Sequence, residues 1–276
     1  MIRIWHQSMT VLEELPGYAR LMGDHARRVC NTDTAVELHG LMPGTYTPEI
    51  APIQAAAMAW PHNLAALQIV ENVIRAEREG FDAVAMSCFG DPYLDVCRSL
   101  VDIPVVSAFE NSLLVAATAA RAFGILVLDE PAARRARARV KAYGFDGRVA
   151  LVAPCAPSLT EYELEKGFTG DKALMERLHV QIREMAALGA DLVIPAEGVL
   201  NAVLVHNGVN NVDGVPVFDS YGAVMANAEM LVKLQRSTGL RNARSGAYAK
   251  PLPEFITHFR RVAIRTLQEA DARESR

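Results

Sequence analysis

Cysteine, aromatic side chains and excess charge are all scarce in this 276-residue chain, and each shortage removes a class of protein. The four cysteines, Cys30, Cys88, Cys97 and Cys155, show no paired metal-binding spacing and are too few to staple a small extracellular fold. A net charge of −4 argues against a nucleic-acid surface. No apolar run reaches the roughly 18 residues that a membrane span requires. The N-terminus opens on a strand-like stretch rather than a leader, so a cytoplasmic location is expected. A G-x-G-x-x-G turn, a P-loop and a His/Cys cluster are all missing, so no cofactor and no metal are expected.

What is present is ordinary globular material, 51% hydrophobic and 22% charged, enough for one large or two modest domains. Short apolar segments at 2–5, 34–41, 81–87, 104–108, 123–128, 148–153, 191–195 and 216–219 alternate with longer amphipathic ones. That alternation predicts α/β architecture, with parallel sheets covered by helices on both faces. Thr10 and Glu13 have capping-box spacing ahead of a helix that ends before Asn31. A basic, glycine-containing stretch at 241–253 reads as a surface excursion before a final helix from 253 to about 270.

A weak internal repeat narrows the architecture. Gly80-Phe81-Asp82-Ala83-Val84 matches Gly189-Ala190-Asp191-Leu192-Val193 at an offset of 109, and Ile103-Pro104-Val105-Val106 matches Val215-Pro216-Val217-Phe218 at an offset of 112. The prediction is two pseudo-symmetric Rossmann-like units, each a four-stranded parallel sheet flanked by helices, with the active site in the cleft between them. The expected boundaries are 1–110 plus 220–276 for the first unit and 111–219 for the second. Ligands of such folds bind beyond the carboxyl ends of the strands. Those ends carry His6, Gln7 and Ser8, then Cys88, Phe89 and Gly90, then Glu110 and Asn111, then Glu197 and Gly198, and finally Asp219.

Cys88 is the strongest candidate. It follows a buried strand, and Asp91 with Pro92 reads as the N-cap and first turn of a helix, a setting that lowers a thiol's pKa. His6 and Glu197 are the accompanying acid–base candidates, and Cys155 is a weaker candidate for a second thiol. Tyr46, Trp60 and His62 belong to a long connection read as a cover over the cleft. Arg134, Arg135, Arg137 and Arg139 read as a solvated helix face.

The stretches Ala83-Val84-Ala85-Met86-Ser87-Cys88-Phe89-Gly90-Asp91-Pro92, Asp102-Ile103-Pro104-Val105-Val106 and Glu110-Asn111-Ser112 resemble the first catalytic half of hydantoin racemases, in the aspartate/glutamate racemase superfamily. Gly214-Val215-Pro216-Val217-Phe218-Asp219 also looks like that family. The resemblance implies a cofactor-independent racemase or isomerase acting at a carbon next to a carbonyl or carboxylate, with two cysteines on opposite faces of a small substrate, and a homo-oligomer. It assigns the first thiol to Cys88. The second is absent, since Pro195-Ala196-Glu197-Gly198 stands where the family has Gly-Cys-Ala-Gly, and His6-Gln7-Ser8-Met9 replaces an Asn-Pro-Asn-Thr turn. Aligning on the glycine puts Ala196 at the missing cysteine, whereas the repeat offset puts Glu197 there. A single-cysteine decarboxylase, a cis–trans isomerase, a ring or amide hydrolase and a metabolite-binding protein that has lost catalysis remain alternatives.

Overall fold

Strands buried on both faces dominate the centre of the molecule, and their side chains sort by parity. The computed structural model describes residues 1–274. Its first half runs β1 (Ile2–Gln7), α1 (Pro16–Val29), β2 (Thr34–His39), α2 (Pro52–Ala56), α3 (Ala59–Arg78), β3 (Ala83–Met86), α4 (Leu94–Leu100), β4 (Val105–Ser107) and α5 (Ala108–Ala119). The second half runs β5 (Phe123–Val127), α6 (Glu130–Ala142), β6 (Val149–Pro154), α7 (Glu161–Leu164), α8 (Lys172–Ala187), β7 (Leu192–Pro195), α9 (Gly198–His206), β8 (Asn211–Val212), β9 (Val215–Pro216), α10 (Ser220–Thr238) and α11 (Pro253–Glu274). On β3, Ala83 and Ala85 face one core while Val84 and Met86 face another, as the two-residue period of a strand requires. In the second half, Val193 belongs to the core it shares with Ala83 and Ala85, and Leu192 and Ile194 to a third.

The first sheet is parallel in the order β2-β1-β3-β4, and the second repeats that order as β6-β5-β7. The expected fourth strand at 216–219 is reduced to a parallel bridge between Val193 and Val217 and an N–H of Phe218 donating to the Val193 carbonyl at 2.9 Å. Pro216 ends a hairpin with β8 and has no N–H to extend a ladder, and Asp219 already caps α10. The second sheet therefore has three strands where four were expected.

Helix α10 returns to the first sheet, where Val224, Met225, Ala228 and Val232 join the core of Ala83 and Ala85. Two alanines on the strand let the helix backbone approach closely. A large apolar side chain fully buried in such a core contributes about 1.5–3 kcal/mol.

Two helix starts differ from the sequence expectation. Thr10 caps nothing: its hydroxyl lies 2.8 Å from that of Ser8, and α1 begins at Pro16 with proline at its first position. Asp91 and Pro92 do not open α4, which begins at Leu94. Asp91 reaches across to α5, accepting the N–H groups of Phe109 (3.0 Å) and Glu110 (2.9 Å) together with the hydroxyls of Ser107 and Tyr143. Asp91, anchored by these four bonds, has a φ of 41°, and Tyr93 has a φ of 52°, left-handed values that residues other than glycine seldom adopt.

Candidate active site

In a doubly wound sheet the crevice opens where neighbouring strands send their connections to opposite faces, here between β1 and β3 and between β5 and β7. The two crevices meet in one cleft. Ser8, Met9 and Thr10 after β1, Cys88, Phe89 and Gly90 after β3, and Ala196, Glu197 and Gly198 after β7 all line it.

The strand registers set which residues of the two units correspond. Met86 pairs with Gln7, and the next N–H, that of Ser87, donates to the Gln7 carbonyl at 2.9 Å. Pro195 pairs with Leu126, and the next N–H, that of Ala196, donates to the Leu126 carbonyl at 2.7 Å. Ser87 is therefore the counterpart of Ala196, and Cys88 that of Glu197. The backbone passes closely at Gly198: a Cβ there would stand 3.1 Å from the Ser87 carbonyl oxygen and 3.1 Å from the Tyr18 hydroxyl, a tighter fit than most side chains find.

The electrostatics of Cys88 reverse the sequence expectation. Burial pushes its thiol up to about 12, against a partial pull from the Gly90 N–H that donates to Sγ at 3.3 Å. The lowering expected of a helix start does not occur, because α4 begins six residues further on and Asp91 adds a nearby negative charge. The thiol lies 3.8 Å from the Met9 sulfur. Glu197 caps α9, accepting the Leu200 N–H at 2.7 Å, and burial nevertheless raises its carboxyl above the ordinary carboxylate range. Burial, with the repulsion of Glu197 added, raises Glu161 as well.

Several residues expected at the site are structural. His6 is fully buried in β1 with Nε2 2.8 Å from the Ser87 hydroxyl, and burial followed by the influence of His39 drives it down to about 3. It is a neutral core histidine that does not line the cleft. Gln7 accepts from Trp5 and Asn72, both at 3.0 Å. Glu110 grips Arg98 through both carboxylate oxygens. Asn111 accepts from the Asn227 amide, and Asp219 caps α10 while holding His25. None of these four lines the cleft either. Cys155 is packed in the core, 2% exposed, and burial lifts its thiol to about 12.

The sequence pattern does not single out several other lining residues. Glu161 of α7, Tyr18 of α1, and Pro52, Ile53 and Ala56 of the α2 region enter from connections. His62 does line the cleft, but Tyr46 is buried with its hydroxyl donating to the Met9 carbonyl at 2.8 Å, and Trp60 is exposed. Arg135 and Arg139 also line it, so only Arg134 and Arg137 form the solvated face expected of all four. The spacing of four residues was the available signal, since it puts Arg135 and Arg139 on one side of a helix.

Two α/β units with a common cleft at their switch points define the structural class. The chain belongs to the Asp/Glu/hydantoin racemase family, whose model matches residues 18–229. It is similar to a hydantoin racemase of Paenarthrobacter aurescens, 29% identical over 213 residues that cover 75% of this chain and 86% of the relative. Its fold is that of an allantoin racemase from Klebsiella pneumoniae, with a TM-score of 0.75, 24% identity, and coverage of 91% of this chain and 94% of the other. An allantoin racemase from Pseudomonas fluorescens superposes with a TM-score of 0.72 at 23% identity, covering 91% and 98%. No helix among the described residues is long and apolar enough to cross a membrane.

Proposed function

We propose that this protein racemises a small carbon acid at a carbon next to a carbonyl, with the Cys88 thiol and the Glu197 carboxyl acting on opposite faces. The observation that carries this reading is the register that makes Glu197 the pseudo-symmetric counterpart of Cys88, with both residues on one cleft. Glu197 as carboxylate takes the proton, the electron pair moves into the neighbouring carbonyl, and the Cys88 S–H delivers a proton to the other face. A thiolate and a carboxylic acid result. Proton return resets the pair, or the same pair runs the reverse direction. Hydroxyls of Ser8, Thr10 and Tyr18 lie on the same cleft and supply donors for the enolate oxygen. Both reacting groups are side chains, so the scheme calls for no cofactor.

The relatives named hydantoin racemase and allantoin racemase support a hydantoin-type substrate. The packing of α10 on the first sheet supports a first unit of 1–110 plus 220–276 and a second of 111–219. The test is incubation of a single enantiomer of a 5-substituted hydantoin in deuterated buffer near pH 7, against an enzyme-free control. Uptake of one deuterium at C5 in step with loss of optical rotation is the expected result, and no acceleration of either would refute the proposal.

One observation favours a second reading. The Glu197 carboxylate is already engaged by the Leu200 N–H, and if capping is its whole task, Cys88 alone protonates one face of an enolate formed by loss of carbon dioxide. A product lighter by one carbon dioxide identifies that decarboxylase route, whereas unchanged mass excludes it.

A further inference from the structure

Helix α6 carries four arginines, and the fold treats them unequally. Ala132, Arg135, Ala136 and Arg139 turn toward the cleft, and Arg134 and Arg137 toward solvent, where Arg137 pairs with Glu130. Of the two inward cations, Arg139 is committed: it donates to the Phe89 carbonyl at 3.3 Å and lies 5.8 Å over the Phe109 ring. Arg135 is half-buried yet has no ion pair and no hydrogen-bond acceptor among the described residues. The acidic group that acts on it most is Asp129, whose carboxylate already accepts the Ala132 N–H at 2.7 Å as the cap of α6.

The surroundings of Arg135 are short of negative charge on the Cys88 side of the cleft. A Cβ at Gly90 would stand 3.2 Å from Cys88 Sγ and 3.7 Å from the His62 ring, and His62, with a buried and unpartnered Nδ1, feels the positive charge of Arg135 and Arg139. A partly desolvated guanidinium without a partner is costly, and a planar fork of donors suits a carboxylate better than any neutral acceptor. The two carboxyls that share the cleft do not pair with it: Glu197 accepts the Leu200 N–H at 2.7 Å and Glu161 the Ile53 N–H at 3.2 Å.

Building on the racemase reading above, we infer that Arg135 is the specificity-determining residue of the cleft and receives a carboxylate at the end of the substrate's side chain. The substrate class is then a 5-substituted hydantoin with an acidic side chain rather than an aliphatic or aromatic one. Arg139 adds positive potential behind it. The acidic side chain anchors at α6 while the ring carbon is presented between Cys88 and Glu197.

The experiment compares isosteric probes that differ only in charge: 5-(carboxymethyl)hydantoin against 5-(carbamoylmethyl)hydantoin, and the corresponding pair with one more methylene. Binding is measured by calorimetry and turnover by deuterium uptake at C5, for the wild type, Arg135→Gln and the solvent-facing control Arg134→Gln. The wild type and the control should prefer a carboxylate probe over its amide by about 10- to 100-fold, the worth of a charge-assisted hydrogen-bond pair, and Arg135→Gln should erase that preference by weakening the acid far more than the amide. Equal use of acid and amide by the wild type, equal losses for both in the variant, or binding of neither probe would overturn the inference. Exchange without charge preference leaves racemisation standing and removes the role of Arg135. Charge-selective binding without exchange does the reverse.

Discussion

Replacing Glu197 by glutamine separates the two faces of the proposed reaction. Glutamine keeps a carbonyl oxygen for the Leu200 N–H and so preserves the start of α9, but it neither takes nor gives a proton. The thiol at about 12 is ionised at pH 8 in about one molecule in ten thousand. In Glu197→Gln that thiolate is the base remaining of the proposed pair, and it takes and returns a proton on a single face. Racemisation is therefore expected to fall by about 10²- to 10⁴-fold, the usual worth of a general acid or base. A residual uptake of deuterium should persist in one enantiomer only, without inversion. Because the thiolate fraction below the pKa grows tenfold per unit of pH, that uptake should rise about tenfold per unit between pH 7 and 10. Cys88→Ala should show the mirror image, with residual exchange in the opposite enantiomer that levels off once Glu197 is ionised. Chiral chromatography with mass spectrometry follows both quantities, and spontaneous exchange, which treats the enantiomers alike, is subtracted. Wild-type racemisation by Glu197→Gln, or exchange of the same enantiomer by both variants, would sink the two-faced mechanism.

The raised thiol of Cys88 also predicts slow modification: iodoacetamide at pH 8 should label Cys88 at least about tenfold more slowly than a free cysteine of pKa near 8.5, with the rate climbing through pH 10, as peptide mapping would reveal. Rapid labelling at neutral pH would contradict the burial argument. Asp91→Ala strips α5 of its cap and leaves the Tyr143 and Ser107 hydroxyls without their acceptor, so a loss of about 2–4 kcal/mol in urea unfolding is expected. Glu161→Gln addresses the buried carboxyl in α7. A carboxyl raised in the folded state binds its proton more tightly there than in the unfolded chain, so it stabilises at low pH and loses that contribution as pH rises through the folded value. The variant should melt about 3 °C above the wild type at pH 8 and no higher than it near pH 4, and a constant difference across that range would refute the assignment.

Much of the fold was legible because the signals were local. Apolar runs such as Ala83 to Met86 announce strands buried on both faces, and the spacing of repeated strand openings announces two sheets of one topology. The same periodicity placed Cys88, Ser8, Phe89, Gly90, Glu197 and Gly198 at strand exits, and all six line the cleft. His6, Gln7, Glu110, Asn111 and Asp219 also stand at or just beyond strand ends, but a strand end has two sides. Which of them faces ligand depends on neighbours: Ser87 and Tyr221 enclose His6, Arg98 engages Glu110, and His25 holds Asp219.

The sequence by itself determined the two-unit α/β architecture, the repeat and the position of a thiol at the mouth of β3, because each follows from residue type and spacing along one element. Tertiary structure alone decided the chemical state of that thiol and the company it keeps. Burial is a property of what folds over a residue, and it raises to about 12 a thiol that a helix start would have lowered. The correspondence of Cys88 with Glu197 rests on hydrogen bonds from Ser87 to Gln7 and from Ala196 to Leu126, which join strands far apart in the chain. Glu161 and Arg135 reached the cleft for the same reason, since packing carries α7 and one side of α6 to a place that no local pattern names.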